Sequence, residues 1–153
     1  MTNFMGLTTI LDSDYVSPTP INNNFAKLDV LGNDYVVEKG VSGEWWFRKW
    51  KSGRAECGVD SKQFEKQKMV TLGAGVNMFR TQYLTFGAYP FSFAIRPYVS
   101  LIFEGDLTNS GRGSFAVPRH NTSTTQSPDF FIADWDKADM QPMVGILVVG
   151  RYK

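Results

Sequence analysis

The chain has 153 residues, 16 basic and 15 acidic side chains, and a hydrophobic share of 42%. That length suits one domain with a real core, and the near-zero charge balance excludes a global electrostatic pull on nucleic acid or anionic membrane. The single cysteine, Cys57, excludes an internal disulfide.

No apolar run approaches the roughly 20 residues needed to span a bilayer, so no membrane insertion is expected. The opening MTNFMGLTTILDSD has no basic n-region and no apolar core. No signal peptide is expected; a role outside the cell would then require exit by another route than ordinary secretion.

Residues 1–19 read as extended. Thr19 is a candidate N-cap with Pro20 at the first helical position, so a short helix is expected from Ile21 to Leu31. Ile21, Phe25 and Leu28 fall at four- and three-residue steps, the spacing of a seam. That seam either packs on its own domain or meets its copies in neighbouring subunits. Gly32-Asn33 supplies the stop. The expected division is an N-terminal arm and oligomerisation helix over 1–34 and a head domain over 35–153.

From Tyr35 the signals are strand and turn. Tyr35–Glu38 is a strand candidate ended by Gly40 to Gly43. Trp45–Trp50 and Arg54–Val59 are two runs joined by Lys51-Ser52-Gly53, a hairpin signal with Gly at its last loop position. Trp and Phe are expected to face the core, with Arg48 and Lys49 facing out or lying across rings. SKQFEKQK, residues 61–68, has polar helical character or is a long loop. Further strands are expected at Met69–Ala74, Gln82–Phe86, Tyr98–Phe103, Gly113–Val117, Phe130–Ala133 and Met143–Arg151. Even spacing of short strands between Gly, Pro, Asn and Ser predicts an all-β fold, an antiparallel β-sandwich of jelly-roll type behind the short N-terminal helix.

Catalytic chemistry finds little footing. The one histidine, His120, lies in the polar stretch PRHNTST, and no GxSxG elbow occurs. Cys57 falls in a predicted strand, where a small buried residue is the default. One His and one Cys do not make a zinc site, no calcium loop is present, and no cofactor or metal is expected. Asp129, Asp134, Asp136 and Asp139 cluster late in the chain; a solvated loop is the plainer account than a hydrolytic carboxylate pair. The chain is therefore expected not to be an enzyme. Aromatic side chains in loops can stack on sugar rings, which singles out Trp135 and, in the bend of residues 89–93, Tyr89 and Phe91 as ligand-contact candidates.

DYVVEKGVSGEWWFRKWKSGRAECG, residues 34–58, resembles a stretch of a family of tailed-phage and prophage structural proteins, the tail-fibre or receptor-binding tip proteins of phages of Gram-positive gut bacteria. PTPINNNFAKLDVLGN, the bend YPFSFAIRPYVS and the closing GRYK extend the likeness. Gly58 stands where many relatives carry an aromatic. The resemblance implies a homotrimeric fibre head, with the helix of Ile21, Phe25 and Leu28 joining copies at a stem and a β-sandwich at the tip. It implies other tail proteins and a bacterial surface glycan as partners, and a place in the virion reached by assembly and host lysis. A connector or decoration protein without a ligand is the alternative, followed by a glycan-degrading tail enzyme.

Overall fold

A computed structural model describes residues 34–108 and 113–153. The expected helix of residues 21–31, with Ile21, Phe25 and Leu28, lies outside the described residues. Nine strands follow in chain order: β1 (Val36–Ser42), β2 (Trp45–Trp50), β3 (Arg54–Gln63), β4 (Val70–Thr71), β5 (Phe79–Arg80), β6 (Tyr98–Asp106), β7 (Phe115–Pro118), β8 (Phe130–Asp134) and β9 (Pro142–Arg151). Among the described residues there is no helix, and so none long and apolar enough to cross a membrane.

The described residues are all-β, in two antiparallel sheets. The larger has the order β1-β2-β3-β9-β6 and the smaller β4-β5-β8-β7. The Trp-rich hairpin forms as its sequence demands. Gly53 turns it with φ +90, and its amide donates to the Trp50 carbonyl at 3.0 Å. β2 then pairs with β3 from Lys49 opposite Ala55 to Trp46 opposite Gly58.

Alternation along the strands decides which aromatics are buried. Trp45 and Phe47 point inward from β2, joined by Ala55, Cys57 and Val59 of β3 and Val144, Ile146 and Val148 of β9. Phe130 and Ile132 of β8 reach the same core from the smaller sheet. A chain of edge-to-face rings runs through it, from Phe64 against Phe130 at 5.6 Å to Trp45 against Tyr89 at 5.6 Å.

Trp46 and Trp50 lie on the opposite face, which corrects the expectation that all three Trp of this stretch face the core. The indole Nε1 of Trp46 donates to Asp60 Oδ1 at 2.7 Å. The Arg54 guanidinium sits 5.1 Å over the Trp50 ring. Lys49 is on the inward row, its ammonium 2.9 Å from Glu38 and 4.8 Å over the Phe91 ring. Gly58 has a packing reason: a Cβ there would meet Trp46 Cζ2 and the Ile146 carbonyl oxygen, each at 2.7 Å.

Other boundaries also differ from expectation. β1 continues through Gly40, because the Phe47 ring covers that position and its Cε1 would stand 3.1 Å from an added Cβ. β3 runs on to Gln63, past a bulge between Val59 and Lys62, so the polar 61–68 stretch is in part strand. Met69–Ala74 shrinks to β4, β5 was not foreseen, and Gln82–Phe86 makes only the Leu84–Phe130 bridge. Residues Val36–Lys153 form one compact unit.

Candidate functional site

The pairing of sheets brings three chain segments to one end of the fold. They are the bend of residues 89–97 leading into β6, the end of β7 with its continuation through Arg119 and His120, and the loop before β8. Between them lies an open cleft of about 700 Å³. Its volume falls within the usual range for small-molecule sites.

Local chemistry explains why these segments hold their places. The amides of Tyr89 and Phe93 donate to the carbonyls of Thr125 and Thr124, each at 2.9 Å, and Ala94 donates to Arg151 at 2.7 Å. The bend is thereby tied to both the loop and the end of β9. Gly150 makes room for it, since a Cβ there would stand 2.8 Å from Phe93 Cδ1 and 3.0 Å from Pro97 Cβ. The loop is braced by its own side chains. Asn121 Oδ1 accepts from the Ser123 amide at 2.8 Å, and Asn121 Nδ2 donates to the Gln126 carbonyl at 2.8 Å. Ser123 Oγ accepts from the amides of Thr125 and Gln126 at 3.1 and 2.9 Å. Pro97, Pro118 and Pro128 stiffen the walls.

Four side chains give the cleft its character. Tyr98 is 74% exposed. Arg96 and His120 line the cleft, and among the described residues Arg96 has no ion pair or hydrogen bond. Tyr89 is only 7% exposed yet forms part of the wall, and its hydroxyl has no hydrogen-bond partner among the described residues. Its phenol is pushed up to about 12, by burial first and the nearby Cys57 second, against the pull of Arg96. It therefore stays a donor across the ordinary pH range. Arg119 also lines the cleft, but its guanidinium lies 4.6 Å over the Tyr83 ring and 3.8 Å from Asp129. Among the described residues no carboxylate lines the cleft. A second depression of about 510 Å³ lies beyond Arg119 and His120, against Thr85, Gln126 and Asp129.

The aromatic candidates read from sequence do not converge. Tyr89 and Phe91 were expected as loop aromatics open to solvent; the structure packs both inward. Tyr89 wedges between Trp45 and Phe93, and Phe91 lies 5.9 Å from Phe47 and 4.8 Å from Phe93. The bend curls back on the larger sheet because Gly150 and Phe47 offer it an apolar seat. Trp135 is 66% exposed, but it follows β8, whereas the cleft precedes β8. The five residues of that strand put about 17 Å between them.

The late acidic residues also divide. Asp134 is buried and accepts from the Asp136 amide at 2.7 Å and from the Ser114 hydroxyl. Asp136 accepts from the Ala138 amide at 2.9 Å. Asp129, at the other end of β8, pairs with Arg119. Among the described residues no group of three or more His, Cys, Asp or Glu side chains is placed to share a metal ion. Cys57 is fully buried, its thiol pushed up to about 12 by burial and, second, by Glu56.

Sequence reasoning passed over Arg96 and Tyr98. Their signal was the run Arg-Pro-Tyr at a strand start, matched by Pro-Arg-His at a strand end. Each puts a stiff Pro beside a cation, but only the pairing of β6 with β9 and of β7 with β8 brings them to one end.

The fold and the cleft define an all-β unit over Val36–Lys153 with a preformed recess of cationic, hydroxyl and aromatic groups at one end. Neither a family model, nor a curated protein, nor a solved structure matches the chain.

Proposed function

We propose that this chain is a virion component of a tailed phage or prophage, the head of a tail fibre that attaches to a glycan on the bacterial surface. The cleft carries the reading: a rigid, open recess with an exposed Tyr98 and unpaired hydrogen-bond donors, of the kind that holds a polyhydroxyl ligand by stacking and hydrogen bonds. The likeness of residues 34–58 to tail-fibre tip proteins supports it. In this reading the two antiparallel sheets pack as a jelly-roll-like sandwich at the tip. The helix of Ile21, Phe25 and Leu28 joins three copies at a stem, next to other tail proteins. The protein acts without a cofactor or a catalytic step, and reaches the virion by assembly in the bacterial cytoplasm and lysis.

Two measurements test the proposal. Light scattering at micromolar concentration is expected to give three times the chain mass, and removal of residues 1–31 to weaken assembly; a monomeric parent refutes the trimer. Saturable retention on host cell walls is expected from the attachment reading.

One observation favours a second reading, a connector or decoration protein without ligand. The outer face of the larger sheet leaves Val41 75% exposed and Ile102 open to solvent, apolar surface that a neighbouring subunit would cover. Absence of binding across a broad panel of walls selects that reading.

A further inference from the structure

We propose that the cleft selects an anionic sugar unit, a glycan residue carrying a phosphate or a carboxylate, with Arg96 as the anion contact, Tyr98 as the stacking face and the Tyr89 hydroxyl as a donor from the floor. The inference deepens the attachment reading and rests on it for the glycan; the anion preference rests on the cleft alone.

Charge distinguishes the cleft from the rest of the chain. The chain as a whole is nearly neutral, at +1. The cleft is not, because Arg96 and Arg119 both line it and, among the described residues, no Asp or Glu does. The two arginines are not equivalent. Arg119 is held by Tyr83 and by Asp129, an exposed pair of the sort that contributes little and yields readily. Arg96 has neither kind of partner among the described residues, so its planar fork of donors is available to a carboxylate or phosphate in two-point fashion.

Tyr89 adds a donor. Its side chain is largely buried, but the hydroxyl itself is not sealed from solvent. Tyr89 lines the cleft, and its hydroxyl has no hydrogen-bond partner among the described residues, which leaves it able to donate to a bound group. The cleft is also rigid. The loop is braced by Asn121 and Ser123 and the walls by three prolines, so little ordering remains to be done on binding. The ring of Tyr98, free on one side, supplies the apolar face that a sugar ring matches.

The test uses the full chain and four probes: glycerol 3-phosphate, galacturonate, uncharged galactose, and Gram-positive cell walls before and after removal of phosphate with hydrofluoric acid. Calorimetry is expected to show binding of at least one anionic probe and much weaker binding of galactose, with the anion preference falling at about 0.5 M salt as charges are screened. A phosphate preference over galacturonate, together with loss of wall retention after dephosphorylation, identifies the phosphate source; the reverse identifies a uronate. Arg96→Glu is expected to lose roughly tenfold or more in affinity for the anionic probe, the size of one charge-assisted contact. Tyr98→Ala is expected to lose several-fold while keeping the preference. Both side chains are exposed, so unchanged thermal melts serve as the folding control.

Equal binding of galactose and the anions, or no effect of Arg96→Glu, overturns the proposal. Wall retention that ignores Arg96→Glu and dephosphorylation leaves attachment standing and removes the anionic site. Anionic probes bound in the cleft with no wall retained does the opposite.

Discussion

Gly58→Ala adds one methyl group where two neighbours already stand at 2.7 Å. One is the Ile146 carbonyl oxygen, which belongs to the β9 backbone and moves only if the β3–β9 ladder opens. The other is the Trp46 ring, which can lift, but lifting it breaks the 2.7 Å bond from its Nε1 to Asp60. Forced overpacking costs ~1–3 kcal/mol and the lost hydrogen bond ~1 kcal/mol, while replacing Gly in the unfolded chain returns ~0.5–1 kcal/mol. The expected net loss is ~2 kcal/mol, a fall in Tm of about 8 °C for a domain of this size. Urea melts followed by Trp fluorescence measure the first quantity and calorimetry the second. Gly105→Ala is the control, because nothing lies within 4 Å of its Cβ, and it is expected to melt with the parent or slightly above it. Trp46→Phe in the Gly58→Ala background is expected to recover part of the loss, giving a coupling of ~1 kcal/mol. If Gly58→Ala melts within a degree of the parent, the close packing of Trp46 over Gly58 is wrong.

Cys57, fully buried with its thiol pushed up to about 12, is expected to resist a thiol-specific disulfide reagent at pH 8 and to react fully in denaturant. Its folded-state pKa lies above the unfolded one, so its contribution is complete below about pH 9 and is lost as pH climbs toward 12, by ~2 kcal/mol at pH 10.5. Cys57→Ala is expected to flatten that alkaline decline; an unchanged slope refutes the assignment. Thr81→Val removes a buried hydroxyl that accepts from the Ile132 amide at 3.0 Å and donates to the Gln82 carbonyl at 2.8 Å, and is expected to cost ~2 kcal/mol in urea melts. Trp135→Ala, at a side chain largely in water, is expected to change stability by less than ~0.5 kcal/mol. Gly150→Ala is expected to shift the 89–97 bend through Phe93 and Pro97, lowering both Tm and any affinity measured for the cleft.

The hairpin was legible because its information is local. Aromatic alternation and a loop Gly at 53 specify both strands without help from the rest of the chain. The reach of β1 through Gly40 and of β3 through Ser61 was not legible. A glycine or a run of polar residues says stop unless the partner strand is known, and here Phe47 and β9 supply the partner. The short β4 and β5 owe their existence to pairing with each other and with β8 rather than to propensity. Tyr89 and Phe91 illustrate the same limit at the site. A Pro-rich aromatic bend reads as exposed, and only Gly150, more than fifty residues later, explains why it folds inward. Arg96 and Tyr98 carry no motif; sheet topology alone places them beside the end of β7.

In the larger sheet the C-terminal strand β9 is not at the margin; it lies between β3 and β6. During synthesis β1, β2 and β3 are therefore complete long before their central neighbour exists, with roughly 80 residues between Gln63 and Pro142 still to be made. At ~5–20 residues per second that is an interval of about 4–16 s in which one side of β3 offers an open row of backbone groups. The large sheet closes only when residues 142–151 arrive and slot into its centre, which makes folding slow to begin and abrupt to finish. Premature release of a chain that stops before Pro142 leaves β3 with an unguarded edge, and such edges are aggregation-prone.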